Sequence, residues 1–382
     1  MMDTRLDTLQ GEGWKDCRKI VLFGYGRQGK RVLKKLKKDF KIIAIVENDA
    51  KKCMGGGIEE IPIVHFSEAL LLLKTYKVIV TVSEHYYREI KKQLEDCGLI
   101  EYRDFVMSQQ FIVEWYFKYK RKIYMLKTDI SVTPKCSLNC EKCTLFMPYW
   151  TDKREKSIDD IKRDIDSYFN VVDYVMDMNI VGGEPFLYRK LGIVLDYIGE
   201  RYGDKVGYLG IITNGTIIPS DDILETMRKY EVGVSISDYT AEVDYKKKLK
   251  LLCEKLQNYG ITFVRNADID WFDFGFPNNT YHYNNEEAKK HMRACNTVCH
   301  TLDDGKIFYC GTAWAAYRAG LFPLHDNDYV SLRAVDPKDI YARAQILEHC
   351  LGNVNNGYLE FCKVCGGYGN DNKNDVVAGK QL

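Results

Sequence analysis

Cys136-Ser137-Leu138-Asn139-Cys140-Glu141-Lys142-Cys143 places three thiols at C-x3-C-x2-C spacing within eight residues. Three thiolates can hold three corners of a [4Fe-4S] cube and leave the fourth iron without a protein ligand, whereas an electron-transfer cluster is ordinarily held by four Cys. An open iron implies a ligand from outside the chain. Zinc also takes thiolates, but its structural sites are usually closed tetrahedra assembled from two separated pairs. Here no fourth Cys or His stands in the loop, and the next Cys is Cys253.

Working outward, the pattern around this loop is strand then helix, repeated. Tyr124 to Val132 reads as a strand running into the thiol loop, and Ser157 to Phe169 as a helix with Ser157 as its N-cap. Strands follow at Val175–Val181, Val206–Ile212, Val232–Ser237 and Ile261–Val264, with helices at Leu191–Tyr202, Asp221–Tyr230 and Lys246–Tyr259 between them. Repeated βα units of this length predict a parallel, partial (β/α)6 barrel of the TIM-like kind. The polar motifs all close strands: Gly182-Gly183-Glu184-Pro185, Thr213-Asn214-Gly215, and Ser235-Ile236-Ser237-Asp238. The carboxyl ends of strands are the face on which such barrels carry their chemistry.

The thiol spacing together with Gly182-Gly183-Glu184-Pro185 resembles the radical S-adenosylmethionine (radical SAM) superfamily. The resemblance implies that Cys136, Cys140 and Cys143 hold a [4Fe-4S] cluster whose open iron binds S-adenosylmethionine. One electron then yields a 5′-deoxyadenosyl radical that removes a substrate hydrogen atom. It also implies that Gly182, Gly183, Glu184 and Pro185 meet the cofactor's ammonium, glycines leaving room for that approach. Thr213, Asn214, Ser235 and Ser237 match positions that meet its ribose and carboxylate, and Asp238 faces cofactor or substrate. One departure is Lys142, where the family usually has an aromatic before the third Cys; Phe146 follows three residues after Cys143.

Residues 1–115 read as a separate α/β unit. Ile20–Phe23 is a buried strand, Gly24-Tyr25-Gly26-Arg27-Gln28-Gly29 a G-x-G-x-x-G turn, and Lys30–Lys38 helical. A second strand, Lys41–Val46, ends at Glu47, and a third runs from Val78 to Val82. This is a half-size Rossmann-like pattern, with Gly24, Gly26 and Gly29 at the phosphate turn and Glu47 placed to meet a ribose hydroxyl. The segment resembles small Rossmann-like domains of bacterial surface-polysaccharide enzymes, which implies nucleotide or nucleotide-sugar binding. The same glycines also serve plain helix–sheet packing. Phe111–Arg121 is a candidate bridging helix.

The barrel pattern covers residues 116–285. From Trp271 periodicity is lost, and residues 286–382 carry Cys295, Cys299, Cys310, Cys362 and Cys365. Their hairpin and C-x2-C spacing resembles the Twitch or SPASM extension of radical SAM enzymes. Five thiols imply one auxiliary [4Fe-4S] cluster, with Cys310, Cys362, Cys365 and either Cys295 or Cys299. A zinc knuckle and buried structural thiols are the alternatives. The stretch past Gly366 reads as frayed.

The chain has 382 residues, with 55 Lys and Arg against 54 Asp and Glu. A net charge of +1 gives no field for steering nucleic acid. No apolar run approaches the ~20 residues of a membrane span. Thirteen Cys without a secretory leader point to a reducing cytoplasm, where clustered thiols mean metal or catalysis. The expected function is hydrogen-atom abstraction from a sugar, nucleotide-sugar or aminocyclitol-like molecule, of the dehydrogenase type, fed by a flavodoxin or ferredoxin. A ribosomal peptide is the rival substrate, and a non-catalytic zinc or iron–sulfur protein the rival class. No acid or base is singled out.

Overall fold

Long apolar runs set the strands of the amino-terminal unit. In the computed structural model, residues 6, 9, 12–295, 300–369 and 372–382 are described, so Cys299 lies outside the described residues. Residues 2–124 form one compact unit and residues 125–382 belong to the other. The first unit holds a six-stranded sheet of β1 (Lys19–Phe23), β2 (Lys41–Glu47), β3 (Gly57–Ile58), β4 (Ile61–His65), β5 (Lys77–Val80) and β6 (Phe105–Met107). Their order is β3-β4-β2-β1-β5-β6. β1 pairs in parallel with both β2 and β5, and Val21, Leu22, Val78 and Ile79 are fully buried. Such strands, covered on both faces, have no polar alternation to show. A helix spans Ser108–Lys120 and buries Phe111, Trp115 and Tyr116. The expected boundary at residue 115 falls inside this helix; the compact unit continues to Tyr124.

The second unit is built on eight strands: β7 (Tyr124–Ser131), β8 (Tyr174–Val181), β9 (Val206–Thr213), β10 (Gly233–Ser237), β11 (Phe263–Asn266), then, after a short β12 (Trp271–Phe272), β13 (Thr301–Asp303), β14 (Lys306–Phe308) and β15 (Tyr329–Ser331). The sheet runs β11-β10-β9-β8-β7-β13-β14-β15. β8–β9, β9–β10, β10–β11 and β7–β13 are parallel, and β13–β14–β15 close antiparallel. Helices Ile158–Val171, Leu191–Tyr202, Asp221–Lys229 and Lys246–Asn258 alternate with the strands. Ser157 caps the first by accepting from the Asp160 N–H at 3.1 Å.

Two expectations change here. The hairpin around Asp304-Gly305 does not stand apart as a region starting at residue 286: β13 is hydrogen-bonded beside β7 in the same sheet. Nor are residues 372–382 frayed, because β16 (Asp375–Val376) pairs antiparallel with β12. Among the described residues no helix is long and apolar enough to cross a membrane.

A buried network fixes the hairpin. Lys156 reaches Asp164 and Asp303, each at 2.5 Å. Asp303 also accepts from the Trp314 indole at 2.9 Å and pairs with Arg318 at 3.0 Å. Both thiol groups border one apolar cluster that includes Phe146, Trp150, Phe276, Trp314 and Phe361.

Candidate functional site

The thiol loop is held against the end of β8 by backbone bonds. Val132 donates to the Val181 carbonyl at 3.0 Å, Gly183 to Thr133 at 2.8 Å, and Glu184 to Lys135 at 2.8 Å. This closeness explains the two glycines. A Cβ on Gly182 would lie 2.5 Å from the Thr133 oxygen, and one on Gly183 would lie 2.2 Å from the Lys135 oxygen. Their missing side chains make room for the loop's own backbone.

Glu184 is likewise turned inward. It is fully buried and accepts from Thr213 Oγ1 at 2.8 and 2.9 Å, Asn214 N at 2.9 Å and Phe186 N at 3.0 Å. It therefore joins the ends of β8 and β9. Burial pushes its carboxyl up to about 7, against the pull of these donors. Asn214 continues the chain of contacts: its Nδ2 donates to Ser137 Oγ at 3.1 Å and lies 3.6 Å from Cys136 Sγ. Ser137 Oγ also meets Thr216 Oγ1 at 2.5 Å.

The remaining strand-end residues sit farther along. Ser235 accepts from Asn266 Nδ2 at 3.1 Å. Asp238, buried, pairs with Arg265 at 2.5 Å and accepts from Thr240 N at 2.8 Å. Ser237 lines a cavity of about 450 Å³ with Asn266, Asp268, Asp270, Phe272 and Tyr368. Pro185 starts a short 3-10 turn and is buried. Lys142 pairs with Asp273 at 2.9 Å, while the buried Phe146 packs on Phe276 with ring centroids 5.4 Å apart.

Cys136, Cys140 and Cys143 are free thiols. Burial pushes Cys136 up to about 12 and Cys140 up to about 11, and the charge of the neighbouring thiols adds to both. Burial raises Cys143 too, although the backbone N–H groups of Leu145, Phe146 and Met147 favour its thiolate. Three adjacent, poorly solvated thiolates are unfavourable unless a strongly positive centre joins them. The donor set thus fits an iron–sulfur cube. Among the described residues, no three His, Cys, Asp or Glu side chains are arranged to hold a single metal ion. A cube does not impose that requirement, since each sulfur binds its own iron.

Cys295, Cys310, Cys362 and Cys365 form the second group. Burial raises both Cys362 and Cys365, and the charges of Cys310 and Cys295 act on each. The Tyr368 N–H donates to Cys295 Sγ at 3.2 Å, Gly367 N to Cys365 Sγ at 3.3 Å, and Ala313 N to Cys310 Sγ at 3.5 Å. His300 Nδ1 meets the Tyr309 carbonyl at 2.8 Å. Burial lowers its imidazole to about 4.

Gly24, Gly26, Gly29 and Glu47 make a group of their own in residues 2–124. Gly24 has φ +104°, and a Cβ on Gly29 would fall 2.3 Å from the Gly24 oxygen, so helix Arg27–Leu36 packs tightly on β1. A Cβ on Gly26 would meet nothing within 4 Å, which leaves open space at the helix start. Glu47 is not wholly free for a ribose: one oxygen accepts the Tyr25 N–H and pairs with Lys52 at 3.1 Å.

Sequence reading missed Ser137, Thr216, Asp273 and Gln381. Ser137 stood inside the quoted loop, but hydroxyls there are common; the other three carried no local signal. Gln381 donates to Cys140 Sγ at 3.3 Å from 241 residues away.

A family model described as Radical SAM superfamily matches residues 130–263. Another, described as C2185-like, N-terminal, matches residues 16–105. Among solved structures, Streptococcus suis SuiB bound to S-adenosylmethionine is similar at 18% identity, covering 54% of this chain and 42% of that one, with a TM-score of 0.31. BtrN in complex with AdoMet and 2-DOIA is similar at 14% identity over 64% of this chain and 94% of that one, TM-score 0.40. Native anSMEcpe with bound AdoMet is similar at 12% identity over 61% and 81%, TM-score 0.39. The chain spans less than half the length of the SuiB chain. No curated protein sequence matches it.

Proposed function

We propose, starting from the radical SAM domain that residues 130–263 carry, that this chain is an enzyme that removes a hydrogen atom from a polar small molecule. The observation that carries the proposal is the fastening of the thiol loop to the Gly182-Gly183-Glu184-Pro185 turn by the Gly183–Thr133 and Glu184–Lys135 bonds. Cys136, Cys140 and Cys143 would hold the [4Fe-4S] cluster. Together with bound S-adenosylmethionine, that cluster would supply the one-electron chemistry that starts hydrogen-atom abstraction. The parallel strands are read as a partial (β/α)6 barrel with its mouth at this turn.

The chain's own residues then have separable tasks. Glu184 ties two strand ends into one rim, so the loop cannot drift from the β9 end. Asn214 and Ser137 orient each other beside Cys136. The cavity beyond Ser237 offers two carboxylates, an amide and two aromatic rings. Its Phe272 and Tyr368 rings are 5.3 Å apart. That lining suits a hydroxylated or amine-bearing ring, which is the sugar or aminocyclitol class. Tyr368 also donates to Cys295, so the cavity wall is continuous with the second thiol group. That group, with Cys295 as fourth ligand, is read as a Twitch-type site for an auxiliary cluster. An electron acceptor there suits net oxidation of a secondary alcohol. The open space at Gly26, before the helix start at Arg27, suits a phosphate of an activated sugar.

Anaerobic reconstitution tests the proposal. The expected result is about eight irons per chain, four for each cube, and release of 5′-deoxyadenosine with dithionite and S-adenosylmethionine, rising with one of a panel of sugars and aminocyclitols. Cys143→Ala is expected to abolish cofactor cleavage while roughly half the iron remains. Zinc in place of iron, or stimulation by a peptide alone, would refute the enzyme reading or the substrate reading respectively.

A further inference from the structure

Residues 379–382 lie across the thiol loop as one rung of antiparallel structure. Glu141 N donates to the Lys380 carbonyl at 2.8 Å, and Leu382 N to the Asn139 carbonyl at 2.9 Å. Between them stands Gln381, paired with Cys140. Its carboxamide orientation follows from its partners. Oε1 accepts the Asn139 N–H at 2.7 Å, so Nε2 is the group that faces Cys140 Sγ at 3.3 Å and the Gly379 carbonyl at 2.5 Å. A flipped amide would set N–H against N–H.

The approach is built rather than incidental. Upstream, β16 is fixed on β12. Gly379 has φ +81°, and a Cβ there would lie 2.6 Å from the Tyr239 Cβ, so the turn onto the loop needs glycine twice over. Lys380 pairs with Glu141 at 2.9 Å, an exposed contact of little weight. Cys140 is only 7% exposed.

We propose that residues 379–382 are a strap closed over the thiol loop, with Gln381 as a positioning residue that donates an N–H to the Cys140 sulfur and keeps water from it. The strap rests on the structure of the loop itself; its electrochemical role rests on the cluster reading above. Hydrogen bonds to cluster sulfurs and solvent exposure are among the terms that set an iron–sulfur potential. An N–H donor favours the more negative, reduced state.

Two measurements test this. In the metal-free full chain, iodoacetamide labelling of Cys140 is followed by peptide mass spectrometry, with Cys53 as internal reference. Gly379→Val is expected to speed Cys140 labelling about tenfold; equal rates in wild type and variant overturn the strap. In the reconstituted chain, Gln381→Leu is expected to make reduction of the loop cluster about tenfold less favourable, a shift of ~59 mV to more negative potential in a redox titration read by electron paramagnetic resonance. An unchanged potential overturns the role of Gln381. If wild type assembles no cluster, the reading in the preceding subsection fails, and the labelling comparison still decides the strap.

Discussion

Gly183→Ala introduces one methyl group at the join between β8 and the thiol loop. Gly183 does not have a positive φ, so the consequence is steric. The new Cβ would stand 2.2 Å from the Lys135 oxygen, 2.5 Å from its carbonyl carbon and 2.8 Å from Cys136 N. Ordinary contact begins near 3.4 Å, so the loop has to yield by about 1.2 Å. All three opposing atoms are backbone, and no side-chain rotation relieves them. Overpacking of this kind costs about 1–3 kcal/mol. Separation also endangers the Glu184–Lys135 bond, which adds about 1 kcal/mol. Together they give about 2–4 kcal/mol, or several degrees of melting temperature in a unit of this size. More tellingly, the displacement starts at Cys136, so loading of the loop cluster should fall further than stability does. The assay is a pair: thermal melting of the metal-free chain, and iron per chain after reconstitution. Gly203→Ala is the control, since a Cβ there meets nothing within 4 Å. If Gly183→Ala melts and loads iron like Gly203→Ala, the packing argument for the motif is wrong.

Other outcomes follow from buried charge. The carboxyl of Glu184 is raised from 4.5 to about 7 by burial. The folded chain therefore holds the extra proton between those values, and this residue's contribution to stability falls as pH rises through that window. The loss is up to about 3 kcal/mol; urea unfolding of metal-free wild type and Glu184→Gln across pH 4.5–7.5 should show a steeper decline in wild type, and parallel curves would contradict it. Lys156→Met removes the cation shared by Asp164 and Asp303, leaving Arg333 and Arg318 as their charged partners beside the Asp304 and Gly305 N–H groups and the Trp314 indole. Breaking a buried pair this way costs about 3 kcal/mol, and a loss below 1 kcal/mol in denaturant unfolding would show that the arginines suffice. Calorimetric titration of the full chain with nucleotide-sugars should give binding that Gly26→Val removes; no heat with any of them would leave the amino-terminal turn as packing alone.

The strands β1, β2 and β5 were legible as runs rich in buried apolar residues, and β7–β10 as shorter apolar stretches that recur between helices and end in turns of small or polar residues. The thiol loop was legible because spacing alone encodes it. The β13–β15 hairpin was not placed in the main sheet, since three-residue strands carry no period and their partner β7 lies some 170 residues earlier. Thr213 and Asn214 were located correctly at a strand end. Their contact with Glu184 was not legible, because polar groups at strand ends carry no signal of which neighbour they meet. The closeness of the loop's backbone to Gly182 and Gly183 was not legible, because a sequence shows that a side chain is missing but not what lies against the backbone.

The pairing of β13 with β7, and of Gln381 with Cys140, has a consequence for synthesis. A ribosome adding about 5–20 residues per second takes roughly 12–48 s to travel from Cys143 to Leu382. For about the first two thirds of that interval one side of β7 has no neighbour, because β13 is not yet made, and through all of it Cys140 has no cover. The nascent thiols meet the cell's stray metals and oxidants before the segment that shields them has been made, so maturation of this centre favours delivery of iron and sulfide after residues 379–382 have been added.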